Sequence, residues 1–569
     1  MDTLTLSRTR WLPFVLAFVA MLAVMACGGD NATKVDKSAM APPDQQILRL
    51  RLNGEPKTID PALSNSLAEA TLTRPLFAGL FSYDTELKII PNMATDVPTD
   101  DNGGISKDGL TYTVKIKKDA KWSDGNPITA NDFVYSLRRA LDPKLGSPYV
   151  SFYYGIVGAQ DYNTAFGTKD APKTPGDSEL SALRDKVGVE AKDATTVVYH
   201  LKQPDPSFLN LLALWTAYPV EQKVVEQYGA KWTEAGNHVG NGPFVLREWA
   251  HDQRIVFEPN PYWTGEKPNL SRIVISFIAD DAAAYAAFQA GDLDVVTVPP
   301  ASSRTIAASN SAEFQKIADL STYAMFMNNK VAPFDNQKVR EAFALAVDRN
   351  AYVDGVLQGA GAATTSWIPP GMPGYDANLG KQWTFDATKA KQALAEAGYP
   401  DGKNFPAVTF LAVSSDTNRL VGQFIEDQLK KNLGVTVTTE YVDSKTFGGR
   451  FTGNQHQVTI QRWSADWPYP NNWLPDQFGT NALNNHSGYS SSKFDDLVKK
   501  AAAEVDEKKR LDLYAQAQKL IIDEAVISPL YNRQTYLLVK PWVKDLIATP
   551  LDGAIKGDSN LTKTYIAAR

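Results

Sequence analysis

The chain has 569 residues, of which 21% are charged and 10% aromatic, and a formal charge of −6. That balance is ordinary for a globular protein, and mild acidity without a basic stripe speaks against a nucleic-acid partner. The only cysteine in the sequence is Cys27, which excludes an intramolecular disulfide and a cysteine-built metal cage.

In chain order, Arg8 and Arg10 precede an apolar run over 11–26 that stops at Cys27. This is the order of a charged n-region, an h-region and a processing site. The run falls short of the roughly 20 residues that span a bilayer, so 1–26 reads as a signal peptide rather than a membrane domain. Residues 24–28, VMACG, resemble a bacterial lipobox, in which the thiol of Cys27 is acylated and becomes the new N-terminus. Met25 is bulkier than the small residue usual at that position. Each buried methylene of such an anchor contributes about 0.8 kcal/mol. Residues 28–46 are polar and rich in Gly, Asn, Ser, Asp and Pro, so 27–46 is predicted to be a lipid-anchored tether.

Strand-period and helix-period segments follow. Leu110, Tyr112, Val114 and Ile116 share one face of an extended segment, and 195–201 and 273–278 are apolar runs of strand length. Thr129 is placed to cap a helix, with Asp132 near its positive end and Phe133, Leu137, Ala140 and Leu141 on its apolar face. Further helices are predicted over 339–348, 387–397, 418–431 and 494–525, with Gly398 and Gly434 as stops. No solenoid period occurs, so the class is α/β or mixed α+β. The length allows about three or four domain-sized units.

Residues 120–135, AKWSDGNPITANDFVY, followed by Arg138, Arg139 and Leu141-Asp142-Pro143, resemble a signature of the bacterial extracellular solute-binding family 5, which contains the oligopeptide-binding proteins of ABC transporters. Ile59-Asp60-Pro61, Asn241-Gly242-Pro243-Phe244, Pro259-Asn260-Pro261-Tyr262-Trp263, Ala346-Val347-Asp348-Arg349 and Ala465-Asp466-Trp467 stand in that family's order, and the likeness extends from Ile47 to the C-terminus. Most of these motifs read as scaffold: Trp122-Ser123-Asp124-Gly125, for example, supplies the chemistry of a turn. The resemblance implies a two-lobed, type II periplasmic-binding-protein fold of cluster C. Lobe I would combine 47–76, 201–322 and 535–569, a small domain II would cover 77–200, and lobe III would cover 323–534. It also implies an exported, lipid-anchored monomer without a cofactor or catalytic activity, which captures oligopeptides between closing lobes and passes them to the permease subunits of an ABC importer.

Residues 462–473, RWSADWPYPNNW, concentrate aromatics around a single acid. By resemblance, Asp466 receives the ligand's α-amino group and Tyr149 assists it, although Asp466 also reads as an aspartate accepting local bonds in a turn. Trp463 and Trp467 read equally well as cleft wall or core. Arg462 and Ser464 would offer main-chain groups to the ligand, and Ser64 and Ser66 lie where the family's first lobe approaches it. Where some peptide binders hold the ligand carboxylate with an arginine and a histidine, the matching positions are Ile460 and Asn418. Arg419 and Arg450 are nearby candidates to replace that clamp, and Phe326 is expected to make the adjacent wall apolar. The five histidines form no H-E-x-x-H pattern, and no G-x-S-x-G or G-x-x-x-x-G-K-[ST] occurs. The competing reading keeps the fold and changes the solute to an oligosaccharide, metal complex or opine. Trp463, Trp467 and Trp473 with Asn471 and Asn472 would suit a saccharide.

Overall fold

The computed structural model describes residues 40–168, 171–299, 302–309, 311–482 and 484–569. Cys27, the signal segment and most of the predicted tether lie outside them. The fold is mixed α/β. One four-stranded sheet orders Ile47–Leu52, Arg272–Phe277, Arg254–Pro259 and Phe244–Ala250. Alternate residues of these strands, Leu48, Leu50, Ile255, Phe257, Ile273 and Ile275, turn into one core, as a pleat dictates. A smaller three-stranded sheet, Thr111–Lys115, Thr196–His200 and Val189–Asp193, buries the predicted Tyr112 and Val114. The helix Ala130–Ala140 starts where expected, its carboxylate Asp132 accepting from the main-chain N–H and hydroxyl of Thr129 at 2.7 and 3.0 Å.

The third sheet is seven-stranded. Its two long members, Phe314–Met327 and Ile527–Val539, run antiparallel through the molecule. At one end Val295–Thr297 pairs with Ile527–Val539; at the other, Val458–Ser464 pairs with Phe314–Met327 and leads on to Val408–Val413 and Val437–Val442. Between Ala318 and Thr322 the register of the long pair slips, so that three residues stand against Arg533 alone. Such a bulge bends and twists a strand pair locally, here midway between the two ends.

Three arginines, Arg139 and Arg349 of the family motifs and Arg340, act as struts. Arg139 makes a two-pronged ion pair with Asp60, at 3.0 and 2.5 Å, although the residues are far apart in sequence. Arg340 and Arg349 are buried and donate to the carbonyls of Glu524, Ala525 and Pro529, which fixes the entry of the long strand Ile527–Val539.

One expectation needs correction. The helix predicted over 494–525 is two, Ser492–Ala503 and Glu507–Asp523. Asp506 breaks it by capping the second helix, accepting from the N–H of Lys509 at 2.9 Å, and the preceding Val505 is left 72% exposed. Within the segment 27–46 expected to be a tether, Ala41 and Gln46 are buried. The Gln46 amide donates to the carbonyls of Ala41 and Ile566 and accepts from the Ile566 N–H, tying this end of the chain to the other.

Candidate functional site

The strand Val458–Ser464 supplies the first element of the site. Phe314–Met327 covers one of its edges along the whole strand, whereas Val408–Val413 covers the other edge only at Val458 and Thr459. The N–H of Ala465 donates to the Leu320 carbonyl at 2.9 Å, which sets the phase of the ladder. Main-chain groups of Trp463 and Ala465 therefore face the covered edge, and those of Arg462 and Ser464 face the edge that no strand among the described residues occupies. Among the described residues the partner on that side is weak, a 3.4 Å contact from the Arg462 N–H to the Gln461 side chain. This is the geometry on which an extended chain adds a strand.

Asp466 stands just past the end of this open edge. Its main-chain N–H donates to Asn472 Oδ1 at 2.9 Å, and Asn472 Nδ2 returns a bond to Asp466 Oδ2 at 3.2 Å. Tyr149, 317 positions away, donates its hydroxyl to Asp466 Oδ1 at 3.2 Å and lies 3.5 Å from the Asn65 carbonyl. Two stretches distant in sequence, one carrying Tyr149 and one carrying Asp466 and Asn472, thus meet at one carboxylate, and Asn65 joins them through the Tyr149 hydroxyl. Burial pushes the Asp466 carboxyl up to about 7; the negative charge of Asp476 adds to the rise, while the bonds from Asn472 and Tyr149 oppose it. Burial and the facing carboxylate hold the Tyr149 hydroxyl far above its ordinary range, so it acts as a donor.

Aromatic rings form the wall behind this pair. Trp467, 4% exposed, meets Phe152 edge-on at 5.0 Å; Phe152 lies 5.1 Å from Tyr149, which lies 5.9 Å from Trp215. Asp466 lines a cavity of about 480 Å³ together with Arg74, Tyr83, Trp215 and Tyr218. A second cavity, of about 410 Å³, lies along Arg462, Ser464 and Ala465 and reaches Leu50, Asp319 and Lys556. Leu551 borders both.

The other expected residues fall differently. Ser66 is the N-cap of the helix Leu67–Leu76, and the Glu69 carboxylate takes the N–H groups of Asn65 and Ser66 at 2.8 and 3.0 Å. Ser64 is fully buried: its N–H and hydroxyl donate to Asp60 O, and its carbonyl accepts from the Trp215 indole at 3.0 Å. In this position Ser64 braces the segment that carries Asn65. Trp463 is half-buried against the core, its indole nitrogen unpartnered among the described residues. Phe326 is not cleft wall, since it is 2% exposed and packed edge-on between Trp367 and Phe451. Asn418 donates to the Val413 carbonyl, Arg450 pairs with Glu440 at 2.8 Å, and Arg419 lies over the Tyr441 ring.

Sequence reasoning missed Trp215, Phe152 and the 549–556 segment, none of which carries a local signal. The saccharide set is largely engaged elsewhere: Trp473 is fully buried, Asn471 bonds Trp467 and Ser207, and Asn472 holds Asp466. His456 and His486 flank Phe451 inside the core and line neither cavity. Among the described residues, no group of three or more His, Cys, Asp or Glu is arranged to hold a metal ion, and no helix is long and apolar enough to cross a membrane.

The family model for bacterial extracellular solute-binding proteins, family 5, matches residues 88–485. The periplasmic oligopeptide-binding protein OppA of Salmonella typhimurium is 31% identical over 539 residues, which cover 93% of this chain and 94% of that protein. The solved structure of the Escherichia coli murein tripeptide binding protein MppA superposes with a TM-score of 0.76 at 28% identity, covering 93% of this chain and all of that one. Haemophilus influenzae OppA in complex with the peptide RPPGFSPFR gives a TM-score of 0.73 at 28% identity over 92% of this chain and 99% of that one. The chain belongs to the bacterial extracellular solute-binding proteins of family 5.

Proposed function

We propose that this protein is the capture subunit of an ABC importer, exported and lipid-anchored through Cys27, and that it binds extended peptides by their free amino terminus. The observation that carries this reading is the position of Asp466 at the end of an unpaired strand edge. A peptide added to that edge has its N–H and C=O groups met by Arg462 and Ser464, and its ammonium group brought to a carboxylate already held by Tyr149 and Asn472. Side chains contribute little to such a scheme, which suits a receptor that accepts many sequences.

The division into lobe I (47–76, 201–322 and 535–569), domain II (77–200) and lobe III (323–534) is part of the proposal. The register slip between Ala318 and Thr322, opposite Arg533, supports it, because bending there opens or closes the cleft. Ligand contacts to both lobes would favour the closed state. OppA of Haemophilus influenzae, whose structure contains a bound peptide, supports the ligand class. Native mass spectrometry of protein purified without added ligand tests it. Co-purified short peptides are the expected result, and a co-purified saccharide, metal complex or opine would replace the reading.

A further inference from the structure

The charges around the 410 Å³ cavity leave one cation over. Of the basic side chains on its wall, Arg51 is held by Asp281 at 2.8 Å and Lys556 by Asp319 at 2.7 Å. Asp319 also accepts the Thr535 hydroxyl at 2.7 Å, so Arg533, 3.5 Å from the same carboxylate and 42% exposed, is its loosest partner. The third acid, Asp552, is taken by the main-chain N–H groups of Thr549 and Gly557 and the Thr549 hydroxyl. Arg462 has no ion pair among the described residues. Its guanidinium lies 5.9 Å from the centre of the Tyr323 ring and makes only a 3.4 Å contact with that residue's hydroxyl. Tyr323 is itself stacked on Tyr531 at 4.5 Å and 9°, so the cation rests on a two-ring platform.

The main chain of Arg462 faces the same open edge as the amine site, and its guanidinium, over the ring of its cross-strand neighbour Tyr323, belongs to a residue that lines the adjoining cavity. A ligand whose ammonium sits at Asp466, beyond the C-terminal end of the strand, must run back along the edge, antiparallel to it, past Ser464 and then Arg462. Along an extended chain these anchors are about 13 Å apart, the span of about four residues.

We infer that Arg462, with Arg533 on the wall of the same cavity, receives a carboxylate of the ligand, so that peptides of three or four residues are held at both ends. The inference rests on the peptide reading above and narrows it to a length class. It also moves the anionic contact away from Ile460 and Asn418, which have no cation to offer. The carboxylate has two possible sources: the C-terminus of a short peptide, or an acidic side chain at the third or fourth position of a longer one. Both present the same planar acceptor to a guanidinium fork.

Calorimetry with tetra-alanine, its C-terminal amide, and two amidated hexapeptides, hexa-alanine and the same with glutamate third, separates these sources. The wild type is expected to bind tetra-alanine about tenfold or more tightly than the amide, the size of one charged hydrogen bond. Arg462→Gln should erase that preference while the free amine is still required, and Arg462→Lys should keep part of it. A preference confined to the glutamate hexapeptide supports the same contact and assigns it to a side chain. Equal affinity of the wild type for all four peptides overturns the inference and leaves the amine anchor standing. Failure of the wild type to bind any free-amine peptide overturns both.

Discussion

The two ends of the open strand edge are built on opposite plans. At Asp466, groups from three stretches interlock before any ligand arrives: Tyr149 and Asn472 already bond the carboxylate, and Trp467, Phe152 and Trp215 wall it in. Near Arg462 the platform is rigid, yet the cation on it is exposed and unpaired among the described residues. A desolvated, pre-bonded acceptor discriminates sharply, because anything that fails to neutralise it leaves a buried charge alone. A solvated guanidinium discriminates gently. The comparison teaches that recognition here is strict about the amine and lenient about what lies downstream.

The largest expected effect comes from breaking the strict end. Asp466→Asn should weaken binding of a free-amine tetrapeptide by about a hundredfold or more, within the 2–5 kcal/mol that follows from stranding one partner of a desolvated pair. The same substitution should not destabilise the unliganded protein at pH 8. A carboxyl raised to about 7 in the fold contributes stability that is present below its unfolded value and lost as pH rises through 7, whereas asparagine has no such loss. Melting curves at pH 5 and pH 8 read the sign: the mutant should gain on the wild type toward the higher pH.

Next in size is the pH dependence of binding. Ammonium capture requires the Asp466 carboxylate, so affinity should climb by up to about tenfold per unit from pH 5 toward 7, with about one proton released per peptide bound at the acid end. Calorimetry in buffers of different ionisation enthalpy measures that release. Affinity that is flat from pH 5 to 7 would mean that the carboxyl is already ionised without ligand. Tyr149→Phe removes one bond to the charged form, and should cost about tenfold in affinity while moving the pH midpoint upward. The smallest effect on binding is expected from the scaffold. Asp506→Ala removes a helix cap and should cost about 1 kcal/mol in urea unfolding while leaving peptide affinity unchanged.

How far the sequence was readable follows from how local each cause is. Thr129 with Asp132, and the glycine stop after the helix Asp416–Leu433, are causes contained within a turn or two, and they appear at the expected positions. The break at Asp506 was missed because the apolar periods on its two sides run on without an obvious gap. Asp466 stood out as the acid in an aromatic-rich stretch, and the resemblance supplied Tyr149 as its partner; no periodicity would have joined residues that distant. Trp215 and the 549–556 lining are invisible to any local pattern, because only contacts between residues distant in sequence bring them to the two cavities. The bond from the Trp215 indole to the Ser64 carbonyl is a long-range contact of the same kind, with no local pattern to announce it.

The central claim is that a free amino terminus is received by Asp466. The most direct measurement is a calorimetric comparison of tetra-alanine with N-acetyl-tetra-alanine on the wild-type protein at pH 7.5. Acetylation removes the cation and leaves every other group of the ligand in place, so the account predicts a loss of about a hundredfold or more. Equal affinity for the two peptides would contradict it.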